Sequence, residues 1–250
     1  MTPERTSQGR SGAPLADIAA AQEELWAARA KRQPLSPHDP AVRELGLDDA
    51  REIARGLYAR IIVNGDRCIG WKMGATDQAA QRQLGLPGPL SAPLFASRCL
   101  QSGARVQLPD LMAPRIEAEI GFCGPPDRFQ LCPLIEIADT RLTEWPISGA
   151  LTIADYCLQS YIAVGHPVTL RPQAPLGSIR LTYDEEVIES AGPLVPPDHS
   201  LVMSLRPDEA AGVREPIVAS GAQTKAHPLR RGLWSADFQG LGTVTVLVDR

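Results

Sequence analysis

The 250-residue sequence has no apolar stretch near the length of a membrane-spanning helix and no run rich in lysine or arginine. A spanning helix needs about 18 or more apolar residues, and binding to nucleic acid or to an anionic membrane generally uses a basic patch. The formal net charge is −4, with 44% hydrophobic and 22% charged residues, as in ordinary globular domains. We therefore expect neither a membrane nor a nucleic-acid partner. The first residues also lack the apolar core of a signal peptide, so we expect a cytoplasmic protein.

Cysteine and histidine are also sparse. The five cysteines include no Cys-x-x-Cys pair, which argues against a disulfide framework and against a thiolate zinc site. We expect them to be small buried residues. The four histidines are far apart in sequence and form no His-Glu-x-x-His motif. Phosphate-binding loops and Gly-x-Ser-x-Gly are absent too, and Gly240-Leu-Gly242 lies between predicted strands, so it is not a dinucleotide loop.

The residues that are present predict three segments. Residues 1–14 are polar and rich in turn formers, which predicts a disordered tail. Residues 15–65 hold two stretches with apolar residues at helical spacing, the second capped by Asp48 and ended by Asn64-Gly65. Residues 66–250 change to short β-like runs broken by glycine and proline. The sequence thus predicts an N-terminal helical segment followed by a β-rich domain.

Within the β-rich domain, the apolar patterns predict several strands and hairpins. The predicted single strands are 67–74, 106–109, 116–122 and 134–137, and the predicted hairpins pair 178–183 with 186–189 and 233–238 with 243–249. One helix is expected at 153–163. The proline-rich region 191–215 is left unassigned.

The most informative motif is Pro114-Arg-Ile-Glu-Ala-Glu-Ile-Gly-Phe122, in which apolar residues alternate with Glu117 and Glu119. This period of two indicates a strand, and residues two apart on a strand point to the same face. Two carboxylates side by side destabilise a sheet unless a positive group lies between them. A divalent cation such as Mg2+ or Mn2+ suits such all-oxygen ligation. The alternative is a solvated face of an antiparallel strand.

Two further ionisable residues stand among apolar neighbours. Glu136 lies inside a predicted buried strand, where a carboxylate must be paired, exposed or bound to metal. Three glutamates on adjacent strands can occupy one face of an octahedral cation. Lys72 lies between glycines that allow a ligand to approach the backbone. Partial desolvation is expected to lower its pKa and suit it to proton transfer or to binding a substrate carboxylate. The alternative is a snorkelling or salt-bridged side chain.

An ordered set of motifs resembles the 2-keto-4-pentenoate hydratases and 4-oxalocrotonate decarboxylases. The similarity runs with gaps from about Leu15 to Val248, and the order of the motifs is more specific than any one of them. The segments that carry the resemblance are Gly70-Trp-Lys-Met-Gly-Ala-Thr76, Gln83-Leu-Gly85, Pro93-Leu-Phe95, Pro114-Arg-Ile-Glu-Ala-Glu-Ile120, Ile135-Glu-Ile-Ala-Asp-Thr-Arg141, Ser220-Gly221 and Asp237-Phe-Gln-Gly-Leu-Gly-Thr-Val244.

The resemblance implies an α+β fold of the fumarylacetoacetase superfamily, with a mixed, rolled, barrel-like β-sheet and N-terminal helices outside it. It makes residues 66–250 the metal-binding catalytic domain. It further implies that Lys72 acts in proton transfer. The residues it implies as ligands of Mg2+ or Mn2+ are Glu117, Glu119 and Glu136, and those it implies as substrate-binding are Lys72, Phe95, Ser220 and Gly221.

Several positions depart from the family pattern. Leu90-Ser-Ala-Pro-Leu-Phe95 stands where the family has Asp-Tyr-Gly, so an acidic partner expected near Lys72 is missing. Tyr156 replaces a family asparagine. Residues 120–135 are too few for the helix that relatives usually insert between Glu119 and Glu136, and Ala222 stands where a serine often follows Thr-Gly. The three glutamates are kept, whereas much of the acid–base and substrate shell is changed.

The activity that this resemblance implies is that of a divalent-metal-dependent lyase acting on a 2-oxo (enol) acid through a metal-bound enolate. Hydration of a 2-hydroxypenta-2,4-dienoate-type substrate is the leading reading. Alternatives are decarboxylation of a 2-oxo-diacid, a repurposed biosynthetic isomerisation or cyclisation, and a non-catalytic scaffold subunit. The resemblance also implies a homo-oligomer, or a complex with a related decarboxylase or hydratase.

Overall fold

The structure is a computed structural model, and it describes residues 15–145, 148–169, 176–195 and 198–250. The tail expected at 1–14 lies outside the described residues. Two sheets form the centre of the fold. A set of short helices and the N-terminal helix pair lie around them.

Both helices expected in the N-terminal segment are present. The helices are α1 (Leu15–Lys31), α2 (Leu47–Val63), α3 (Gln78–Leu84), α4 (Gly149–Ala154) and α5 (His199–Ser204). The N-cap expected at Asp48 is wrong, because the N-cap residue of α2 is Gly46. The side chain of Asp49 instead accepts a hydrogen bond from the Gly46 amide at 3.3 Å, which satisfies one amide that the first helical turn leaves free.

The strands confirm the β-rich reading of the rest of the chain. They are β1 (Cys68–Gly74), β2 (Leu90–Phe95), β3 (Cys99–Gln101), β4 (Ala104–Gln107), β5 (Arg115–Cys123), β6 (Gln130–Ala138), β7 (Gln159–Val164), β8 (Ile179–Tyr183), β9 (Glu186–Ala191), β10 (Ile217–Ala222), β11 (His227–Pro228), β12 (Gly232–Phe238) and β13 (Gly242–Asp249). Every predicted strand and hairpin corresponds to one of these elements.

The larger sheet has the order β2-β1-β10-β5-β6-β7-β3, with β11 beside β5, and the smaller sheet has the order β4-β13-β12-β8-β9. The β1–β10 and β3–β7 pairs are parallel, whereas β5 pairs antiparallel with both β10 and β6. The sheets are therefore mixed. Strand β5 lies in the middle of the larger one, with neighbours on both sides.

The two faces of β5 and β6 have different partners. Ile116, Ile135 and Ile137 pack with the smaller sheet, including Trp234 and Val246, in one buried apolar cluster. Because side chains alternate along a strand, the glutamates between these residues point to the opposite face. A second apolar cluster joins α1 and α2 to α4 and closes the molecule on the helical side. The division into segments 15–65 and 66–250 stays a prediction, since this cluster spans both.

The helix expected at 153–163 is wrong. Helix α4 ends at Ala154, a short turn covers Tyr156–Leu158, and β7 begins at Gln159. The apolar spacing that suggested a helix arises because α4 and β7 are both buried almost throughout. When a segment is buried on all sides, its apolar residues recur with neither the helical nor the strand period. The pattern then cannot tell a helix from a strand.

All five cysteines are free, and three of them are buried (Cys123, Cys132 and Cys157), as expected for small core residues. No helix among the described residues is both long and apolar enough to cross a membrane.

Candidate metal centre

Three carboxylates meet where β5 and β6 lie side by side. Glu117 and Glu136 are direct partners across the two antiparallel strands, and Glu119 is two residues further along β5. One carboxylate oxygen from each lies within 4.8 Å of the others. Glu119 and Glu136 are each 1% exposed, and Glu117 is half-buried. The sheet register thus brings together the three glutamates that the sequence singled out.

Lys72 reaches the same cluster from β1. Its Nζ donates to Glu136 Oε1 in a short contact and to the backbone carbonyl of Cys157 at 2.9 Å. Lys72 is 5% exposed, so both bonds form out of contact with water. The second oxygen of Glu136, Oε2, is buried and has no hydrogen-bond partner among the described residues. A buried carboxylate oxygen without a donor is costly, and a cation at the cluster would satisfy it.

The charges at the cluster shift each other's pKa values. Burial, together with the carboxylate of Glu136, raises the pKa of Glu117 to about 7. Burial and Glu136 also raise the pKa of Glu119 well above its ordinary value. Burial alone would lower the pKa of Lys72, but Glu136 and Glu119 outweigh it and the pKa is raised. The expected lowering of the lysine pKa is therefore wrong, and Lys72 is held as an ammonium ion.

A strained backbone segment supplies the carbonyl that Lys72 binds. Tyr156, Cys157 and Leu158 have φ values of 58°, 48° and 63°, which place three successive non-glycine residues in the left-handed region. Such a conformation costs of order 1–3 kcal/mol per residue and persists only where the surroundings impose it. Here it turns the Cys157 carbonyl toward Lys72, so the lysine is positioned from two sides.

A buried ion pair fixes this segment. The Arg141 side chain contacts Asp155 through Nε, and its Nη1 donates to the Gln159 carbonyl at 3.0 Å. Asp155 Oδ2 also accepts from the Arg141 amide at 2.9 Å and from the Thr140 hydroxyl at 3.0 Å. The pair spans the residues on both sides of the strained turn. These contacts connect the end of β6 to the start of β7.

Gly221 and Ser220 contact β5 rather than an open space. The Gly221 amide donates to Glu119 Oε2 at 3.0 Å, and the Ser220 hydroxyl donates to the Ile120 carbonyl at 2.6 Å. Gly221 has a φ of +99°, and a Cβ there would lie 2.8 Å from Thr76 Oγ1. Glycine is thus required at this position by both conformation and space. The substrate contacts expected for Ser220 and Gly221 stay predictions.

Phe95 lies in an aromatic cluster on the helical side. It is 1% exposed, and its ring centroid is 5.8 Å from that of Tyr58 and 5.6 Å from that of Tyr156. These contacts give Phe95 a packing role. Its predicted contact with substrate is not among them and stays a prediction.

A cavity of about 350 Å3 lies beside the strained segment and is lined by Leu90, Ser91, Tyr156 and Cys157, among other residues. Ligand pockets commonly have volumes of this order. Cys157 joins the two features, because its carbonyl binds Lys72 and its residue lines the cavity. Leu90 and Tyr156, which depart from the family pattern, therefore line the same space.

The donor set fits a hard divalent cation. It consists of carboxylate oxygens, the ligands that Mg2+ and Mn2+ prefer, and it includes the buried Glu136 Oε2 with no donor of its own among the described groups. Cys157, Asp155 and Arg141 were not picked out as site residues from the sequence. The sequence signal for this group is that Arg141 ends the segment 135–141, which carries the family resemblance. The pairing of Asp155 with Arg141 depends on the tertiary fold.

No family model matches the chain, but curated proteins do. A 2-keto-4-pentenoate hydratase from Burkholderia vietnamiensis is 33% identical over 141 residues, which cover 50% of this chain and 54% of that protein. A 4-oxalocrotonate decarboxylase from a Pseudomonas species is 27% identical over 219 residues, which cover 79% of this chain and 85% of that protein. The chain spans about half the length of the first curated relatives it matches.

Solved structures show the fold. The 4-oxalocrotonate decarboxylase of Pseudomonas putida, determined with magnesium and adipate, superposes with a TM-score of 0.83 at 21% identity, over 95% of this chain and 99% of that chain. The predicted α+β fold of the fumarylacetoacetase type is confirmed. The chain is similar in sequence to 2-keto-4-pentenoate hydratases and, at lower identity, to a 4-oxalocrotonate decarboxylase, and it shares the fold of the solved decarboxylase.

Proposed function

We propose that the chain is a divalent-metal-dependent lyase for a small 2-oxo (enol) acid, and that it hydrates a 2-hydroxypenta-2,4-dienoate-type substrate. The observation that carries the proposal is the convergence of Glu117, Glu119 and Glu136 with the buried ammonium of Lys72. The named hydratases among the curated relatives support the same activity.

The cation, Mg2+ or Mn2+, is held by the three glutamates in this proposal. When bound, it polarises the 2-oxo group of the substrate and stabilises negative charge that develops there. Lys72 Nζ moves the proton between the substrate carbon skeleton and the site, and its two bonds to Glu136 and Cys157 hold it in position. In the proposal the Lys72 ammonium donates this proton to the substrate carbon skeleton, and the amine that is left regains a proton from the 2-hydroxyl group of the substrate. Water then adds across the carbon–carbon double bond that remains, so that protons balance.

The substrate is bound next to this centre. The cavity beside Cys157 has the size a small organic acid needs. Lys72 and the three glutamates are not among its lining residues, and Cys157, whose carbonyl binds Lys72, connects the cavity to the centre. Leu90 and Ala92 lie on β2, which pairs with β1 so that Ala92 is opposite Lys72. Phe95, Ser220 and Gly221 support the walls of the site through the contacts described above, and any direct contact they make with substrate is part of the proposal.

The matched experiment follows the absorbance of 2-hydroxypenta-2,4-dienoate with purified protein and added Mg2+ or Mn2+. We expect metal-dependent loss of the dienoate signal that Glu119→Gln abolishes while the protein stays folded. Glu186→Gln, on an exposed position of β9, is the control and should keep full activity. Dienoate loss no faster than in buffer would refute hydration, and any turnover abolished by Glu119→Gln would refute a scaffold role.

Decarboxylation of a 2-oxo-diacid is the second candidate. The 4-oxalocrotonate decarboxylase relative covers more of both chains than the hydratases do, and the site chemistry is compatible with loss of a carboxylate that is conjugated to the enolate. Release of carbon dioxide from 4-oxalocrotonate, measured with the same protein and the same variants, separates the two reactions. A homo-oligomer, or a complex with a related decarboxylase or hydratase, also remains part of this proposal, and light scattering tests it.

A further inference from the structure

A second cleft, of about 170 Å3, lies at the C-terminal end of α1, where β6 ends and β7 begins. Arg29, Arg98, Arg141 and Gln159 are among the residues that line it. None of its lining residues is a member of the carboxylate cluster, and Lys72 is not among them. Tyr161, another lining residue, pairs with Ile137 across β6 and β7 and packs with it on the face opposite Glu136. The cleft is therefore separate from the candidate metal centre.

Arg29 is the central cation of the cleft. It is half-buried, and no hydrogen bond or ion pair to it is found among the described residues. Burial, together with the nearby guanidinium groups of Arg141 and Arg98, lowers the pKa of Arg29 to about 10. Asp155 opposes this effect but is already bound to Arg141. A guanidinium held near two others and with no acceptor of its own needs a negative partner.

Arg98 is also available. Its guanidinium lies 4.7 Å from the ring centroid of Tyr161, a stacked position that leaves the N–H groups at the edge free to donate. No acceptor within hydrogen-bond distance of Arg98 occurs in the described part of the chain. Stacking on the Tyr161 ring fixes the orientation of the Arg98 guanidinium but gives its N–H groups no hydrogen-bond acceptor.

Gln159 adds an uncharged hydrogen-bond donor to the two free guanidinium groups of the cleft. The residue is 3% exposed, and its Nε2 is buried with no hydrogen-bond partner among the described residues. Leaving a buried donor unsatisfied costs about 1–3 kcal/mol. The Gln159 side-chain amide can therefore donate a hydrogen bond to an acceptor bound in the cleft.

The acceptors around the cleft are, by contrast, already used. Asp139 accepts from the amides of Met112 and Ala113, at 3.1 Å and 2.7 Å, and Asp110 forms an ion pair with Arg32. The cleft therefore presents free donors and satisfied acceptors. The complementary ligand is a group with acceptors only and a negative charge.

We propose that this cleft binds a small oxyanion, a carboxylate or phosphate group, through Arg29, Arg98 and Gln159. Guanidinium forks match the paired oxygens of both groups, and the volume suits an ion or a small metabolite rather than an extended ligand. Arg141 lines the cleft and also fixes the turn that positions Cys157. An anion bound here would therefore lie against Arg141, which fixes the backbone turn at Cys157.

The test is calorimetric titration of the full chain with sodium phosphate and, separately, with sodium malonate. The protein is first stripped of divalent metal by a chelator and then desalted, because a metal at the glutamate cluster would bind the same anions. Sodium chloride at matched ionic strength is the reference. We expect saturable binding of one or both oxyanions, with a rise in Tm that follows the occupancy. Binding of malonate alone identifies a carboxylate ligand, and binding of phosphate alone identifies a phosphate ligand.

The variants locate the binding site. Arg29→Gln and Arg98→Gln should each weaken binding about tenfold or more, as loss of a charge-assisted pair does, and Arg29→Lys should weaken it less because the charge is kept. Arg180→Gln, at an exposed position of β8, is the matched control and should bind as the parent protein does. Glu117→Gln should bind normally, which separates this site from the proposed metal centre.

Two results would overturn the proposal. The first is a Tm rise with phosphate and malonate no larger than that with chloride. The second is saturable binding that Arg29→Gln, Arg29→Lys and Arg98→Gln all leave unchanged. The Tm of ligand-free Arg29→Gln adds a check, because removing a guanidinium repelled by two others should leave the Tm unchanged or higher. If that Tm drops, Arg29→Lys and Arg98→Gln decide the outcome, because unchanged binding in both overturns the proposal.

Discussion

The ammonium group of Lys72 contacts the carboxylate of Glu136 inside the sheet, where both side chains are almost fully buried. The two residues are 64 positions apart in sequence, and β10 and β5 lie between their strands. Removing one partner of a buried ion pair leaves a charge without compensation, whereas the intact pair contributes little net stability. The pair is therefore better explained by a requirement of the site than by stability alone.

Lys72→Ala should reduce turnover by about a hundredfold or more, as loss of an acid–base group typically does. The metal content should be kept, because the three glutamates are untouched. Steady-state assays and metal analysis of the same preparation check both parts. Lys31→Ala is the matched control, since Lys31 is exposed at the C-terminal end of α1 and is not part of the site. Turnover equal to that of the parent protein would make Lys72 a purely structural residue.

Glu119→Gln should weaken metal binding by about tenfold or more, since loss of even an indirect partner of a metal ligand costs that much. Glutamine keeps an oxygen that can accept the 3.0 Å bond from the Gly221 amide. The fold should therefore survive, and the Tm without added metal should be unchanged or higher because one buried charge is removed. Metal titration followed by calorimetry, with melting curves alongside, measures both. An unchanged metal affinity would contradict the proposed ligand set.

The effect of metal on stability should depend on pH. In the folded protein the pKa of Glu117 is raised to about 7 from the ordinary 4.5. The folded state therefore binds the proton more tightly, and without metal this contribution to stability is present at low pH and lost as pH rises toward about 7. Metal requires the ionised form, so the Tm increase caused by Mg2+ should be larger at about pH 8 than at about pH 5. An equal increase at both values would argue against binding at these carboxylates.

Tyr156→Phe should leave the free energy of unfolding unchanged or raise it. The Tyr156 hydroxyl is buried without a hydrogen-bond partner among the described residues, and removing an unsatisfied polar group avoids a cost of about 1–3 kcal/mol. Tyr183→Phe is the control, because its hydroxyl donates to the Arg231 carbonyl at 2.8 Å and its loss should lower stability by about 0.5–1.5 kcal/mol. Chemical denaturation measures both changes. A larger loss for Tyr156→Phe than for Tyr183→Phe would reveal a partner for the buried hydroxyl.

Gly221→Ala should destabilise the protein by about 1–2 kcal/mol from backbone strain, with an added cost from contact with Thr76. A φ of +99° and a Cβ only 2.8 Å from Thr76 Oγ1 are the reasons. The displaced amide would also weaken its bond to Glu119, so metal affinity should fall. Gly88→Ala meets nothing within 4 Å and should change stability by less than about 0.5 kcal/mol. Equal stability and equal metal affinity for the two variants would contradict the close fit at Gly221.

Local patterns were sufficient for β1, β5 and β6, which carry Lys72 and the three glutamates, but they did not predict β2, β7 and β10 as strands. The alternation around Glu117 and Glu119 fixed β5 and its face, because a period of two has one structural solution when one face is buried. The two N-terminal helices followed from apolar spacing in the same way. The Asp48 cap failed, since the choice between neighbouring polar residues at a helix start depends on the path of the chain before it.

The segment after α4 shows where local patterns fail. Residues 153–163 are apolar enough for a helix, yet the chain turns at Tyr156–Leu158 and continues as β7. No propensity predicts three successive left-handed non-glycine residues, which are imposed by the buried contacts of Asp155 with Arg141. The carbonyl that positions Lys72 is therefore a product of packing between distant segments.

The sequence by itself determined that Glu117 and Glu119 share one face of a strand, that Glu136 is a carboxylate among apolar residues, and that this combination suits a divalent cation. Only the tertiary structure decided that β5 and β6 pair in the register that places Glu136 opposite Glu117, and that Lys72 is held as an ammonium ion against it. Strand register and the sum of neighbouring charges are properties of the assembled sheet. The spacing of residues along the chain fixes neither.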